Sequence, residues 1–305
     1  MIGAHPDIAM INEPELIYAL YRAGYLQQGL AGADPGEVIE QLGVVGLCRQ
    51  HLEGLTPERV EKLRERRGDL SIRELYETLL PRPEAPIWGE KSLNNNFFVE
   101  ALSRLYPEAV FVSVVRDPRS VLLSLAVKRK LVEEQADGLR IRQPVALART
   151  LEIEGYKWAL WNRVALDNAR RVKPGRWLAL RYEDLVEDPE TGMRALCRSL
   201  EMEFDPMMLS SQARKNDPVL STASRGAHAR LSGELDRSRI SAYRKWPAWA
   251  LAIIEHHCGE AMVAFDYPPV TPGRSLAGAW ARLSVPVFGA FNRRKKRKFR
   301  RQRGL

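Results

Sequence analysis

Residues 87 to 124, IWGEKSLNNNFFVEALSRLYPEAVFVSVVRDPRSVLLS, alternate strand and helix signals so closely that they leave the chain few folds to choose from. Ile87 and Trp88 open a short apolar strand ending in Gly89-Glu90-Lys91, and Phe97, Phe98, Ala101, Leu102 and Leu105 then recur at helical spacing. Pro107 stops that helix before a second strand, Ala109 to Val115, whose β-branched run suits a parallel sheet covered on both faces. The pattern predicts a βαβ unit of an α/β sheet flanked by helices. Ligands of such sheets bind beyond the carboxyl ends of the strands, where Lys91 follows the first strand and Arg116 the second. Two cations are thereby expected at one crevice.

The next segment, Arg116-Asp117-Pro118-Arg119, puts a proline at a helix start and reads as strand, turn, helix. Ser124 and Lys128 lie four residues apart, so they share a face on neighbouring turns of that helix. A guanidinium, a hydroxyl and an ammonium so arranged suit a phosphate ester. Taken alone, an Arg-Asp pair after a strand is more often a structural ion pair than a ligand site.

These marks together resemble the 3′-phosphate-binding segment of sulfotransferases that use 3′-phosphoadenosine-5′-phosphosulfate (PAPS). The resemblance is to the branch that holds the tyrosylprotein sulfotransferases and bacterial relatives. It rests on Glu90-Lys91 after a strand, the helix, the apolar strand, Arg116-Asp117-Pro118-Arg119, and Ser124 eight residues after Arg116. It implies a P-loop-NTPase-like parallel sheet flanked by helices, with Arg116 and Ser124 on the 3′-phosphate and Lys128 as a further basic contact. Tyr182-Glu183-Asp184-Leu185, after a strand from Arg176 to Arg181, is the second mark; it implies that Tyr182 lies beside the adenine, where an aromatic face can stack on the base. In relatives a later loop closes over the nucleotide. Arg237 and Ser238, in the Ser- and Arg-rich stretch 216–245, stand at about the corresponding distance.

The chain opens on MIGAHPDIAMINEPE, where His5-Pro6-Asp7 reads as the loop after a helix. The resemblance implies that a first strand, a phosphate loop of Pro-Arg-Ser-Gly-Thr-Thr type and the helix it opens precede such a segment. None of them is in these 305 residues, so they are expected either upstream of Met1 or to have been lost. Glu13 stands where that branch has its catalytic carboxylate, with Glu15 as rival. Without the resemblance both read as acids at a helix start, favoured by the helix dipole.

The net charge of +9 equals the nine Lys and Arg of residues 293–303, RRKKRKFRRQR, so the rest of the chain is formally neutral. That argues against a nucleic-acid-binding body. Residues 1–270 are expected to form one sulfotransferase-like domain, and 271–305 an apolar segment with a basic tail. The tail reads either as a docked helix with a solvated end or as an anchor on an anionic membrane surface. The cysteines, Cys48, Cys197 and Cys258, are too few and too scattered for a disulfide framework or zinc site, and His256-His257-Cys258 would point to different faces of one helix. Neither a signal peptide nor an apolar run of spanning length occurs, so a cytoplasmic protein, peripheral at most to the inner face of the membrane, is expected.

Elsewhere, Val38–Leu52, Pro57–Arg67 and Ile72–Leu80 read as helices, the last with Ser71 and Glu74 as a capping box. A polar loop near Glu133, Glu134 and Asp137 is expected to be mobile, and a long helix spans Val145–Val172 with Tyr156, Trp158 and Trp161 in its packing. The activity implied is transfer of a sulfuryl group from PAPS to a hydroxyl or amine of a glycan, lipid or small molecule, leaving PAP. Glu13 would take the acceptor proton and Lys91 would stabilise the charge on the transferred group. This scheme needs no metal, and no Gly-rich Lys-Ser/Thr phosphate loop points instead to a kinase or ATPase. The alternative is a degenerate, non-catalytic relative that binds PAP or a membrane.

Overall fold

Ile8–Asn12 (β1) and Ile87–Lys91 (β2) pair in parallel, in register from Ile8 opposite Ile87 to Asn12 opposite Lys91. The two strands therefore end level with one another. Gly89 permits this approach, because a Cβ there would lie 2.9 Å from the Met10 sulfur. The structure is a computed structural model that describes residues 1–53, 57–65, 70–80, 85–135, 138–210, 237, 240–271 and 276–305. It divides into two compact units, the first from 1–111, 171–176 and 193–234, the second from 112–170, 177–192 and 235–305.

In the first unit the helix Leu16–Arg22 follows β1 and buries Leu16, Ile17 and Leu20 completely. They pack in one core with Leu75, Tyr76 and Leu79 of the helix Ile72–Leu79 and with Val38 and Leu42. Each large apolar side chain so buried contributes about 1.5–3 kcal/mol. Ser71 and Glu74 form the expected capping box. The expected single helix Val38–Leu52 is instead two, Pro35–Leu42 and Gly46–Glu53. The break falls at Gly43, whose carbonyl accepts from Arg49 Nε at 2.9 Å. Asp34 caps the first of these helices through the Gly36 and Glu37 N–H groups.

Phe111–Val115 (β3), which from Val112 onward belongs to the second unit, pairs with Trp177–Arg181 (β6). The helix Pro118–Lys128, the long helix Pro144–Arg171 and the helix Ala248–Ala264 share a core that includes Leu122, Leu123, Leu147, Leu151, Ile253 and Ile254. Among the described residues β2 pairs with β1, and β3 with β6, rather than β2 with β3. A helical crossover can link strands that are not hydrogen-bonded neighbours, which sequence does not reveal. Nor is β3 covered on both faces, since Val115 is buried and Val114 is 54% exposed.

The expected mobile loop near Glu133 is a hairpin, Val132–Gln135 (β4) with Gly138–Ile141 (β5), whose expected member Asp137 lies outside the described residues. Val132 is buried, Leu139 and Ile141 pack on the same core, and Arg142 pairs with Glu133 at 2.6 Å. The basic tail is not a loose end either. It completes one helix, Leu276–Arg301, which packs on the helix Ala248–Ala264. Among the described residues no helix is long and apolar enough to cross a membrane.

Candidate active site

In the first unit the level ends of β1 and β2 place Glu13 beside Lys91. The Glu13 N–H donates to the Lys91 carbonyl at 2.7 Å, and the two side chains form an ion pair. Lys91 is 51% and Glu13 29% exposed, so both remain within reach of a ligand. Glu13 and Glu15 have φ values of 52° and 50°, in the left-handed region on either side of Pro14. For residues with a Cβ that conformation costs roughly 1–2 kcal/mol each, so neighbours must hold it. The Glu15 N–H donates to Ser92 Oγ at 3.1 Å and the Asn94 amide donates to the Glu15 carboxylate at 2.8 Å. The two rival acids thus differ in environment: Glu15 is 3% exposed and tied to the Ser92 and Asn94 side chains that follow β2, whereas Glu13 is presented.

Behind this turn, burial raises the Glu90 carboxyl above the usual carboxylate range, against an opposing hydrogen bond from Asn95. Burial, with Glu15 and Glu90 nearby, pushes the Cys48 thiol up to about 12. That thiol is buried and stays protonated at neutral pH.

In the second unit the pairing of β3 with β6 sets Arg116 and Tyr182 at adjoining strand ends. The Arg116 guanidinium carbon lies 4.3 Å from the centroid of the Tyr182 ring. Buried Glu183 fastens the two ends: one carboxylate oxygen accepts from the Asp117 N–H at 3.1 Å and the other from the Tyr267 hydroxyl at 2.5 Å. Burial, then Glu183, pushes the Tyr267 phenol well above its ordinary pKa and so keeps the proton on that hydroxyl. Trp158 Nε1 donates to the Arg116 carbonyl at 3.2 Å.

Asp117 is not the partner of Arg116. Its carboxylate accepts from the Arg119 N–H at 2.8 Å, which caps the helix Pro118–Lys128, and from the Arg119 guanidinium at 2.7–3.1 Å. Arg119 is 2% exposed and also donates to Glu255 at 3.1 Å and to the Pro268 carbonyl at 3.0 Å. The structural ion pair that the sequence left open is therefore made by Asp117 and Arg119.

Ser124 and Lys128 are both exposed, one turn apart on that helix. Arg237 is exposed and donates to the Glu187 carbonyl at 3.2 Å; Ser238 lies outside the described residues. Glu13 and Lys91 belong to the first unit, and Arg116, Ser124, Lys128, Tyr182 and Arg237 to the second. Among the described residues no group of three or more His, Cys, Asp or Glu is placed to hold a metal ion. Sequence reasoning missed Ser92, Asn94 and Tyr267 as supports of the site. Glu183 was legible only as part of a motif, without its role.

Residues 1–206 match the family model described as Sulfotransferase family. The chain is 32% identical over 111 residues to the omega-hydroxy-beta-dihydromenaquinone-9 sulfotransferases Stf3 of Mycobacterium bovis (strain ATCC BAA-935 / AF2122/97) and Mycobacterium tuberculosis (strain CDC 1551 / Oshkosh). That match covers 36% of this chain and 27% of theirs, so the chain spans about a quarter of the length of the curated relatives it matches. Among solved structures, the sulfotransferase domain from the Synechococcus PCC 7002 olefin synthase is similar with a TM-score of 0.53 and 21% identity, over 88% of this chain and 98% of that domain. This likeness concerns the fold, the P-loop-like α/β fold of sulfotransferase domains.

Proposed function

The chain belongs to the sulfotransferase family, and we propose that it transfers a sulfuryl group from PAPS to a hydroxyl or amine of a lipid or other small-molecule acceptor, releasing PAP. The observation that carries this reading is the Arg116 guanidinium 4.3 Å over the Tyr182 ring, with the buried carboxylate of Glu183, next to Tyr182, accepting from the N–H of Asp117, next to Arg116. A fixed cation against an aromatic face suits a nucleotide that brings a phosphate and a base together. Ser124 and Lys128 supply further donors from the exposed face of the helix after Arg116. Arg237 and Ser238 remain candidates for the same nucleotide.

In the transfer, an acceptor oxygen or nitrogen forms a bond to sulfur as the bond from sulfur to the leaving phosphate oxygen breaks. Glu13 accepts the acceptor's proton; its exposure and left-handed backbone present it for that role. Lys91 turns from Glu13 to the charge growing on the sulfuryl and leaving oxygens, where a positioned cation is most effective. Glu15, buried and bonded to Asn94, holds the turn rather than the proton.

The likeness to enzymes that sulfate a hydroxylated menaquinone supports a lipid acceptor. Such an acceptor would bring the reaction to the cytoplasmic face of a membrane. The test is transfer from radiolabelled PAPS to ω-hydroxylated isoprenoid quinols and extracted lipids in detergent. Labelled product is expected with the wild type and absent with Lys91→Ala. A folded wild type that neither binds PAP nor labels any acceptor would sink the reading.

A further inference from the structure

The helix Leu276–Arg301 carries a cationic strip that sulfuryl transfer leaves without a use. Its packed side is defined by Asn292, Lys296, Phe299 and, just past its end, Arg303. Asn292 donates to the Arg149 carbonyl at 3.0 Å and to Glu152 at 2.5 Å, and Lys296 forms an ion pair with the same fully buried carboxylate. The Phe299 and Trp161 rings lie 5.7 Å apart, with Arg303 over both. These four positions follow the spacing of one helical stripe.

At about 100° per residue, Arg293, Arg294, Arg297, Lys298, Arg300 and Arg301 fall within an arc of roughly 160° opposite that stripe, with Lys295 between the arc and the stripe. All seven are exposed, and among the described residues none of them is ion-paired. No acidic residue follows Asp266 in the chain. Toward the middle of the helix the same arc continues as exposed Pro286, Val287 and Ala290, with Val287 56% exposed.

We propose that this strip is a docking surface for an anionic lipid membrane. The packed stripe holds the helix on the protein, so the cations present a preformed face to the headgroups with no ordering cost for a loose tail. The uncharged stretch beside them suits the acyl boundary beneath the headgroups. Beyond Gln302 and the cations themselves, residues 293–303 offer no polar side chains of the kind that read sugars or base edges, which favours a lipid over a nucleic acid.

The test is co-sedimentation of the 305-residue chain with phosphatidylcholine vesicles, with or without phosphatidylglycerol, at near-physiological salt. Binding to the anionic vesicles at least about tenfold tighter than to the neutral ones is expected, weakening as salt rises. A variant with Arg293→Glu, Arg297→Glu, Arg300→Glu and Arg301→Glu should lose at least about tenfold in affinity. A variant of equal net charge altered at exposed Arg104, Arg140, Lys173 and Arg198 should keep it. A folded wild type that ignores anionic vesicles, or a strip variant that binds them like the wild type, would overturn the proposal. Displacement from the vesicles by a smaller amount of duplex DNA phosphate would assign the strip to nucleic acid instead. No PAPS is present, so failure here leaves the sulfuryl-transfer reading standing.

Discussion

Tyr267 donates its hydroxyl to the buried Glu183 carboxylate at 2.5 Å, across 84 residues of sequence. The same carboxylate receives the Asp117 N–H, so one acid joins the ends of β3 and β6 on which Arg116 and Tyr182 sit. Tyr267→Phe keeps the ring and removes a donor from a buried carboxylate, a loss of about 1–3 kcal/mol. A melting temperature lowered by several degrees, together with weaker PAP binding, is the expected result. Unchanged melting would show that Glu183 draws nothing from this bond.

The two acids around Pro14 should separate cleanly by mutation. Glu13→Gln removes a proton acceptor from a partly exposed position, so turnover should fall roughly 10²–10⁴-fold while melting stays near that of the wild type. Glu15→Ala strands the Asn94 amide and loosens a strained turn, so it should lower melting first and turnover as a consequence. Parallel melting curves and PAPS turnover would distinguish them, and the reverse pattern would make Glu15 the base.

Arg119 is fixed between Asp117 and Glu255, all three buried. Arg119→Ala leaves two carboxylates without their cation, and loss of one partner of such a buried arrangement costs about 3–5 kcal/mol. The expected outcome is a protein largely unfolded at physiological temperature by circular dichroism. A stable Arg119→Ala chain would mean that Asp117 and Glu255 are satisfied elsewhere.

Burial, then the charges of Lys296, His256 and Arg163, holds the His257 imidazole down to about 3. Glu152 lies 3.7 Å from its Nε2 and pulls the other way, but that carboxylate is already engaged by Lys296 and Asn292, and burial decides. The unfolded ring titrates near 6.5, so its neutral form stabilises the fold fully above that pH, and the contribution is lost as pH falls from there toward 3. Melting of the wild type should therefore fall more steeply between about pH 6.5 and 4 than that of His257→Gln. Equal slopes would show that the ring is protonated at no cost in the folded protein.

What sequence could read was local. Ser71 and Glu74 announce a capping box three residues apart, and the long helix expected over Val145–Val172 is found at Pro144–Arg171. Four-residue strands do not declare themselves in the same way, and the charges of Glu133, Glu134, Arg140 and Arg142 hide the alternation of Val132, Leu139 and Ile141. The supports of the site depend on partners far away in the chain. Asn94 and Glu15 are 79 residues apart, and Lys296 finds Glu152 across 144, so a basic run that looks solvated in sequence has a packed side in the fold. Arg116 and Tyr182 were legible as members of motifs. That one lies over the other was not, because strand pairing decides it.

Calorimetric titration of the 305-residue chain with PAP, beside Arg116→Ala, measures the nucleotide site itself. Saturable binding at micromolar concentrations by the wild type, weakened at least about tenfold in the variant, is the result expected when one charge-assisted contact of about 1.5–3 kcal/mol is removed. A folded wild type that does not bind PAP, or an Arg116→Ala chain that binds it equally well, would mean that Arg116 and Tyr182 do not hold the nucleotide.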